Sequence, residues 1–317
     1  MYSQPLFQIF GRDVYLYGIC VAIGIAACFG LLIYTMGKRK FNDYSSNVIV
    51  IIGVLSTGLG FLFAALFQAL YNYIEDPAGG FNFGDITFLG GLIGGVASFI
   101  GLYSLFMYIV HPKNSFKFLS GEMNATLTDA LPFIPIGIVV AHAFGRLGCF
   151  FAGCCYGVHT DAWYGLPCAA GDSANVVPTQ LFEMIFLIIL AVALAVLFYK
   201  YNFNYNFSVY LISYGIFRFI IEFWRNDQRG QFLGTALSPS QIWSIVLVLA
   251  GIAYVFLYRK FFAKNMKHPE LVAVAEGADQ SGEEPTDEPT ETANADAVQP
   301  VETPVASTKR EYIDEDD

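Results

Sequence analysis

Long apolar runs separated by short polar stretches occupy most of this chain, and seven of them approach the roughly 20 residues that a helix needs to cross a bilayer. They lie near residues 14–36, 47–71, 86–110, 127–145, 179–200, 207–225 and 240–259. Backbone polar groups in lipid must be satisfied within the segment itself, so the pattern predicts an all-α polytopic membrane bundle of about seven transmembrane helices. The fourth run contains Pro132 and Pro135. A kink is expected there, with the freed backbone groups satisfied by neighbouring helices or water. In the third run, Gly90 with Gly94 and Gly91 with Gly95 form small-residue pairs that let another helix or a lipid approach closely.

The sixth run breaks the apolar rule. VYLISYGIFRFIIEFWRNDQR, residues 209–229, carries Arg218, Glu222 and Arg225. A charge at the centre of a membrane helix costs about 2.5–3.5 kcal/mol even on lenient insertion scales. At about 100° per residue, Tyr214, Arg218, Glu222 and Arg225 fall within an arc of roughly 80°, with Tyr210 and Arg229 near its edges. An Arg218–Glu222 pair at i,i+4 that only glues helices together leaves Arg225 without a purpose. Charge kept at such cost marks a functional site.

A second polar stretch, AHAFGRLGCFFAGCCYG at residues 141–157, joins the fourth and fifth runs. Its glycines, Gly145, Gly148, Gly153 and Gly157, predict a loosened helix end around Arg146 whose free amides bind anions. His142 stands one turn before Arg146 and points the same way.

At 55% hydrophobic and 14% charged residues, with a mean hydropathy of +0.51, the 317-residue chain is excluded from the class of ordinary soluble domains. Its net charge of −10 comes mostly from residues 266–317, which are rich in Glu, Asp, Thr and Pro. That segment has too little apolar surface to offset its ordering entropy. The expected organisation is a membrane-embedded domain at 1–265 and an acidic, disordered cytoplasmic tail at 266–317. No cleavable leader is expected in the opening MYSQPLFQIFGRD.

Orientation follows from the basic residues. Lys38, Arg39 and Lys40, then Lys113 and Lys117, then Lys200, then Arg259, Lys260, Lys264 and Lys267 all fall on one side, which makes that side cytoplasmic and places the N-terminus outside. Arg146, Arg218, Arg225 and Arg229 lie at the outer ends of their spans, against this rule. A phosphate is the natural partner of such a cluster, because guanidinium binds it bidentately and keeps its charge. No cofactor, metal or nucleic-acid partner is expected.

Cys20 and Cys28 fall in the first span and read as small apolar residues. Cys149, Cys154, Cys155 and Cys168 fall on or near the outer face, where one or two disulfides, free thiols, a metal site and a redox pair all remain open. A bridge between the adjacent Cys154 and Cys155 would be strained, and C-x4-C-C-x12-C is not a usual zinc spacing.

Five segments occur in a telling order: YG at Tyr17 and Gly18, GGLIG at Gly90 to Gly94, GRLG at Arg146 within a motif ending at Gly157, PTQLFE at Pro178 to Glu183, and YGIFRFIIEFWR at Tyr214 to Arg225. With them the chain resembles the prolipoprotein diacylglyceryl transferase family of bacterial inner-membrane enzymes, over nearly all of residues 10–262. The resemblance implies an enzyme that takes phosphatidylglycerol from the membrane and transfers its diacylglyceryl group to the lipobox cysteine of a prolipoprotein signal peptide. A thioether forms and glycerol phosphate leaves. It implies that Arg146 and Arg218 hold and neutralise the phosphate, that Glu222 orients Arg218 or Arg225, and that Tyr17 and Tyr214 donate to the headgroup. Gly90, Gly91, Gly157 and Arg225 complete the implied substrate site.

The chain departs from the family pattern at several positions. Leu89 stands where a histidine, a proposed base, precedes GGLIG. Cys149, Ala152 and Cys154 replace asparagines and a glutamate, and no arginine stands near Ala64. His142 is expected to supply the missing imidazole. The competing readings are a divergent phospholipid-headgroup transferase with another acceptor, a thiol–disulfide membrane oxidoreductase and a non-catalytic lipid-binding protein.

Overall fold

Among the described residues, seven helices long and apolar enough to span a membrane form the body of the computed structural model. They are α1 (Leu16–Lys38), α2 (Asp43–Glu75), α3 (Phe88–Leu105), α4 (Ile134–Ala152), α5 (Thr179–Tyr201), α6 (Asn206–Ile221) and α7 (Pro239–Leu257). The structure describes residues 4–77, 80–81, 87–110, 122–167, 174–225 and 237–262, all within the compact unit Met1–Asp279. Lys113, Lys117, Cys168, Arg229, Lys264, Lys267 and the expected tail lie outside the described residues. The chain is an all-α polytopic membrane protein. Two antiparallel hairpins accompany the helices, Phe7–Ile9 with Arg12–Val14 and Leu166–Pro167 with Asn175–Val176. The first turns through Phe10 (φ 51°) and Gly11 (φ 74°), the double left-handed step that suits a two-residue hairpin loop.

Two expected elements differ from the structure. The fourth span does not kink at its prolines; it begins there. A separate turn, Leu127–Ala130, ends ahead of Pro132, and Pro135 occupies the first turn of α4, where a missing N–H leaves no gap in the ladder. The Pro132 carbonyl accepts from Asn206 Nδ2 at 3.0 Å, and both residues are buried. The same helix then runs on through Gly145, Arg146 and Gly148, so this stretch is helix interior rather than a loosened end with free amides. It stops at Gly153, in the left-handed conformation (φ 69°). The sixth span runs over Asn206–Trp224 as expected, but its last turn is not α-helical. α6 ends at Ile221, Glu222–Trp224 form a 3-10 turn, and Arg225 is extended (φ −87°, ψ 146°).

Packing explains why glycine is tolerated inside α4. Cys28 lies against Gly137, Ala141 and Phe144 against Gly24, and Tyr17 and Cys20 against Gly148, so α1 and α4 run antiparallel in close contact. A Cβ at Gly148 would stand 2.9 Å from the Tyr17 ring. α4 also packs on α5, α2 on α3, and α6 on α7. The core of α1, α4 and α5 is built from Met36, Phe133, Val139, Leu187, Leu194 and Phe198.

The two ends of the bundle differ. At one end Arg39 donates to Asn202 Oδ1 at 2.9 Å and covers the Phe198 ring, while Arg259 donates to the Tyr205 hydroxyl. At the opposite end the start of α1 meets the end of α4, and the start of α5, the end of α6 and the start of α7 carry the polar residues.

Candidate functional site

Glu183, the fifth residue of α5, has no exposed side-chain surface and anchors the first half of the polar cluster. Its Oε1 accepts from Arg146 Nε at 2.9 Å and from the Tyr214 hydroxyl at 2.7 Å. His142 Nε2 stands 3.9 Å from the same oxygen, and its Nδ1 lies 3.2 Å from the Tyr210 hydroxyl. The His142 ring also packs edge-on against Tyr214, with centroids 4.7 Å apart. Three side chains from α4 and α6 therefore converge on one carboxylate from α5, and Tyr210 joins them through His142. Glu183 Oε2 is buried with no hydrogen-bond partner among the described residues. His142 lies ten residues before the end of α4, about 15 Å along the helix axis, so the cluster extends into the span.

The second half is centred on Glu222. Its Oε2 lies 2.8 Å from Arg218 Nη2 and 3.7 Å from Arg225 Nε, and its Oε1 accepts from Ser238 Oγ at 3.0 Å. Ser238 caps α7 in a capping box with Gln241, which fixes the hydroxyl that holds Glu222. Arg218 Nη2 also donates to Ser240 Oγ at 3.2 Å, while Arg218 Nη1 is buried without a partner among the described residues. Arg218 is one helical turn beyond Tyr214 and close enough to feel the Glu183 charge, which links the two halves. The i,i+4 pair of Arg218 and Glu222 does form. Arg225 reaches Glu222 from extended backbone rather than from the helix stripe on which it was expected.

The glycines have identifiable neighbours. Gly157 bridges to Arg225, its amide donates to the Val177 carbonyl, and the Val158 amide donates to the Trp224 carbonyl. A Cβ at Gly157 would strike that Trp224 carbonyl and also crowd Thr179 and Val177. Gly157 thus lets three strands of chain meet and holds Arg225 in place. Gly90 and Gly91 face α2, against Phe67 and against Gly60 and Ala64. Tyr17 lies on Gly148, beside Arg146 and the cysteines that follow it. Leu89 falls in the first turn of α3.

The structure also holds an apolar cavity of about 390 Å³. Phe182, Ile221 and Trp224, each a chain neighbour of a cluster residue, line it together with Phe217 and Ile220.

Glu183 was not among the expected site residues, although it closes the PTQLFE segment. The spacing of the cysteines did not place them either. The Sγ atoms of Cys149, Cys154 and Cys155 all lie within 4.8 Å of one another, and all five described cysteines are free thiols. The Cys155 thiol, outside the span, has its pKa lowered by hydrogen bonds from Cys149 and Cys154 and by the nearby Arg225.

Over residues 4–257 the chain matches the family described as prolipoprotein diacylglyceryl transferase. It is similar to a phosphatidylglycerol–prolipoprotein diacylglyceryl transferase of Clostridium tetani, 31% identical over 81% of this chain and 97% of the relative. A second such enzyme, number 2 of Clostridium perfringens, is 34% identical over 77% of this chain and 91% of the relative. A third, from Finegoldia magna, is 31% identical over 83% and 98%. No solved structure matches the chain.

Proposed function

We propose that this chain, which belongs to the prolipoprotein diacylglyceryl transferase family, transfers the diacylglyceryl group of phosphatidylglycerol to a prolipoprotein cysteine, the first step of bacterial lipoprotein maturation. The observation that carries the reading is the Nη1 of Arg218, a donor inside a membrane span that is buried without a partner among the described residues; Arg146 is reached through Glu183, and Phe217, Ile220 and Ile221, neighbours of Arg218 in the same stretch of chain, line an apolar cavity. An amphipathic ligand fits such a place, with acyl chains against Phe182, Phe217 and Trp224 and a phosphate oxygen on the guanidinium.

The reaction joins the thiol sulfur to the glyceryl carbon while that carbon's bond to the phosphate oxygen breaks. A phosphodiester with a single charge becomes a monoester carrying about −1.5 to −2 at neutral pH. Cations already held in place stabilise that developing charge without reorganising. Glu222, Ser238 and Ser240 set Arg218; Glu183 and Tyr214 set Arg146. Glu183 Oε2 is an acceptor for the hydroxyls of the glycerol headgroup. We assign His142 a positioning role, because Tyr210 and Glu183 stand at its two ring nitrogens. Tyr17 borders the entry beside Arg146, and Gly157 holds Arg225. The lipobox of an exported signal peptide supplies the acceptor thiol.

The lysines and arginines at the other end of the bundle support a cytoplasmic-membrane location with this site toward the exterior. The test is purified protein with phosphatidylglycerol and a lipobox peptide, read by mass spectrometry for the diacylglyceryl adduct. Wild type is expected to form it, and Arg146→Ala and Arg218→Ala to lose it. An adduct formed equally by both variants would overturn the phosphate assignment.

A further inference from the structure

The turn after α4 gathers three thiols that the arrangement around Glu183 and Glu222 does not use. Gly153 (φ 69°) and Cys155 (φ 64°) are both left-handed, which doubles the chain back and brings Cys154 and Cys155 to Cys149. Two fully buried side chains of α5 pin this turn. Thr179 Oγ1 donates to the Cys155 carbonyl at 2.9 Å, and Gln180 Nε2 donates to the Cys154 carbonyl at 2.6 Å. Cys154 is exposed and the other two are partly so, which leaves the cluster open to an incoming group. Tyr17 and Arg146 flank it on one side, and Arg225 lies beside Cys155.

Three thiols suit a metal better than a disulfide. One bridge would leave a sulfur over, and a bridge between adjacent residues is strained. Zinc–sulfur bonds of about 2.3 Å in a tetrahedral site place ligand sulfurs roughly 3.8 Å apart, so sulfurs within 4.8 Å of one another need only a small contraction. Among the described residues no further Cys, His or carboxylate joins the three. A three-ligand zinc site with a free fourth position is the arrangement of a reactive site rather than a structural one.

We propose that Cys149, Cys154 and Cys155 bind a zinc-class ion as three thiolates, and that its fourth position takes the sulfur of the acceptor cysteine. The second half rests on the transferase reading. A metal that coordinates a thiol deprotonates it outright, which is the activation that the acceptor cysteine needs. The acceptor thiol enters and loses its proton to water. Its thiolate forms the bond to the glyceryl carbon, the carbon–oxygen bond breaks, and the electron pair leaves with the glycerol phosphate. The thioether product carries no charge and gives up the metal.

The experiment uses the purified full-length protein. Metal content by mass spectrometry is expected to show zinc in stoichiometric amount, lost in Cys149→Ser, Cys154→Ser and Cys155→Ser variants that still unfold cooperatively. Cobalt loaded in its place is expected to show sulfur-to-metal charge transfer that intensifies with a lipobox peptide and not with its Cys→Ser counterpart. Chelator-stripped protein is expected to form the adduct at least about 100-fold more slowly and to recover with added zinc, the scale on which a catalytic base acts. Protein without metal, or with a disulfide among the three cysteines, overturns the proposal. So does a cobalt spectrum that Cys168→Ser changes, because the site would then be closed. Equal adduct from stripped and loaded protein overturns the metal's role and leaves the transferase reading standing. No adduct from loaded protein overturns that reading, while the peptide-dependent spectrum still reports on the site.

Discussion

Replacing Glu183 by glutamine keeps the shape of the side chain and removes its charge. Glu183 is fully buried, and its Oε1 receives both Arg146 and Tyr214. The substitution leaves the Arg146 guanidinium, only 17% exposed, without its counter-charge. Breaking a buried pair by removing one partner costs about 3–5 kcal/mol. The amide oxygen can still accept from Tyr214 and Arg146 keeps some contact with solvent, so the lower end, about 3 kcal/mol, is expected. Unfolding in mixed micelles measures it, and a double-mutant cycle with Arg146→Met isolates the pair. A positive coupling of roughly 0.5–3 kcal/mol is expected, with the double variant closer to wild type than the sum of the singles. Activity is expected to fall by about 10²-fold even where the protein stays folded, because Arg146 is then held less well. A Glu183→Gln protein with wild-type stability and wild-type adduct formation would refute the placing of Glu183 at the centre of the site.

Three further outcomes follow from particular contacts. Gly157→Ala is expected to cost about 1–3 kcal/mol, since its Cβ would press on the Trp224 carbonyl, Thr179 and Val177; unfolding midpoints check this, and weaker phosphatidylglycerol binding is expected as Arg225 shifts. His142→Gln, which can still hydrogen-bond Tyr210, is expected to lose less than the roughly 10²-fold that removal of a general base costs, measured as adduct formation rate. A chain ending at residue 265 is expected to keep full adduct formation in vesicles, since the site is assembled from residues between Tyr17 and Ser240.

The membrane frame was legible in the sequence because seven apolar runs of the right length have few other uses. Arg218 and Glu222 were legible because charge within such a run is costly. The helix ends were harder to read. Pro135 is compatible with a kink and with a first turn, and only the turn that ends before Pro132 decides between them. Gly145 and Gly148 suggested an opened backbone, yet they lie inside α4, where Gly148 gives Tyr17 room to pack. Arg225 shares the stripe of Arg218 only if the helix continues, and the bridge to Gly157 draws it into extended backbone instead. Glu183 escaped notice because an acid near a helix start is ordinary; its burial beneath Arg146 and Tyr214 exists only in three dimensions. The one available signal was a carboxylate inside PTQLFE at the head of an apolar run. The cysteines illustrate the same limit, since the two left-handed residues that close C-x4-C-C into a cluster leave no mark in their spacing.

The most direct test follows the leaving group. Phosphatidylglycerol labelled in its headgroup glycerol is incubated with the purified protein and a lipobox peptide, and the water-soluble label is measured beside the peptide adduct. Glycerol phosphate is expected to appear in step with the thioether and only when the peptide carries its cysteine. Release of label with the Cys→Ser peptide, or a peptide adduct without released glycerol phosphate, would contradict the transferase reading.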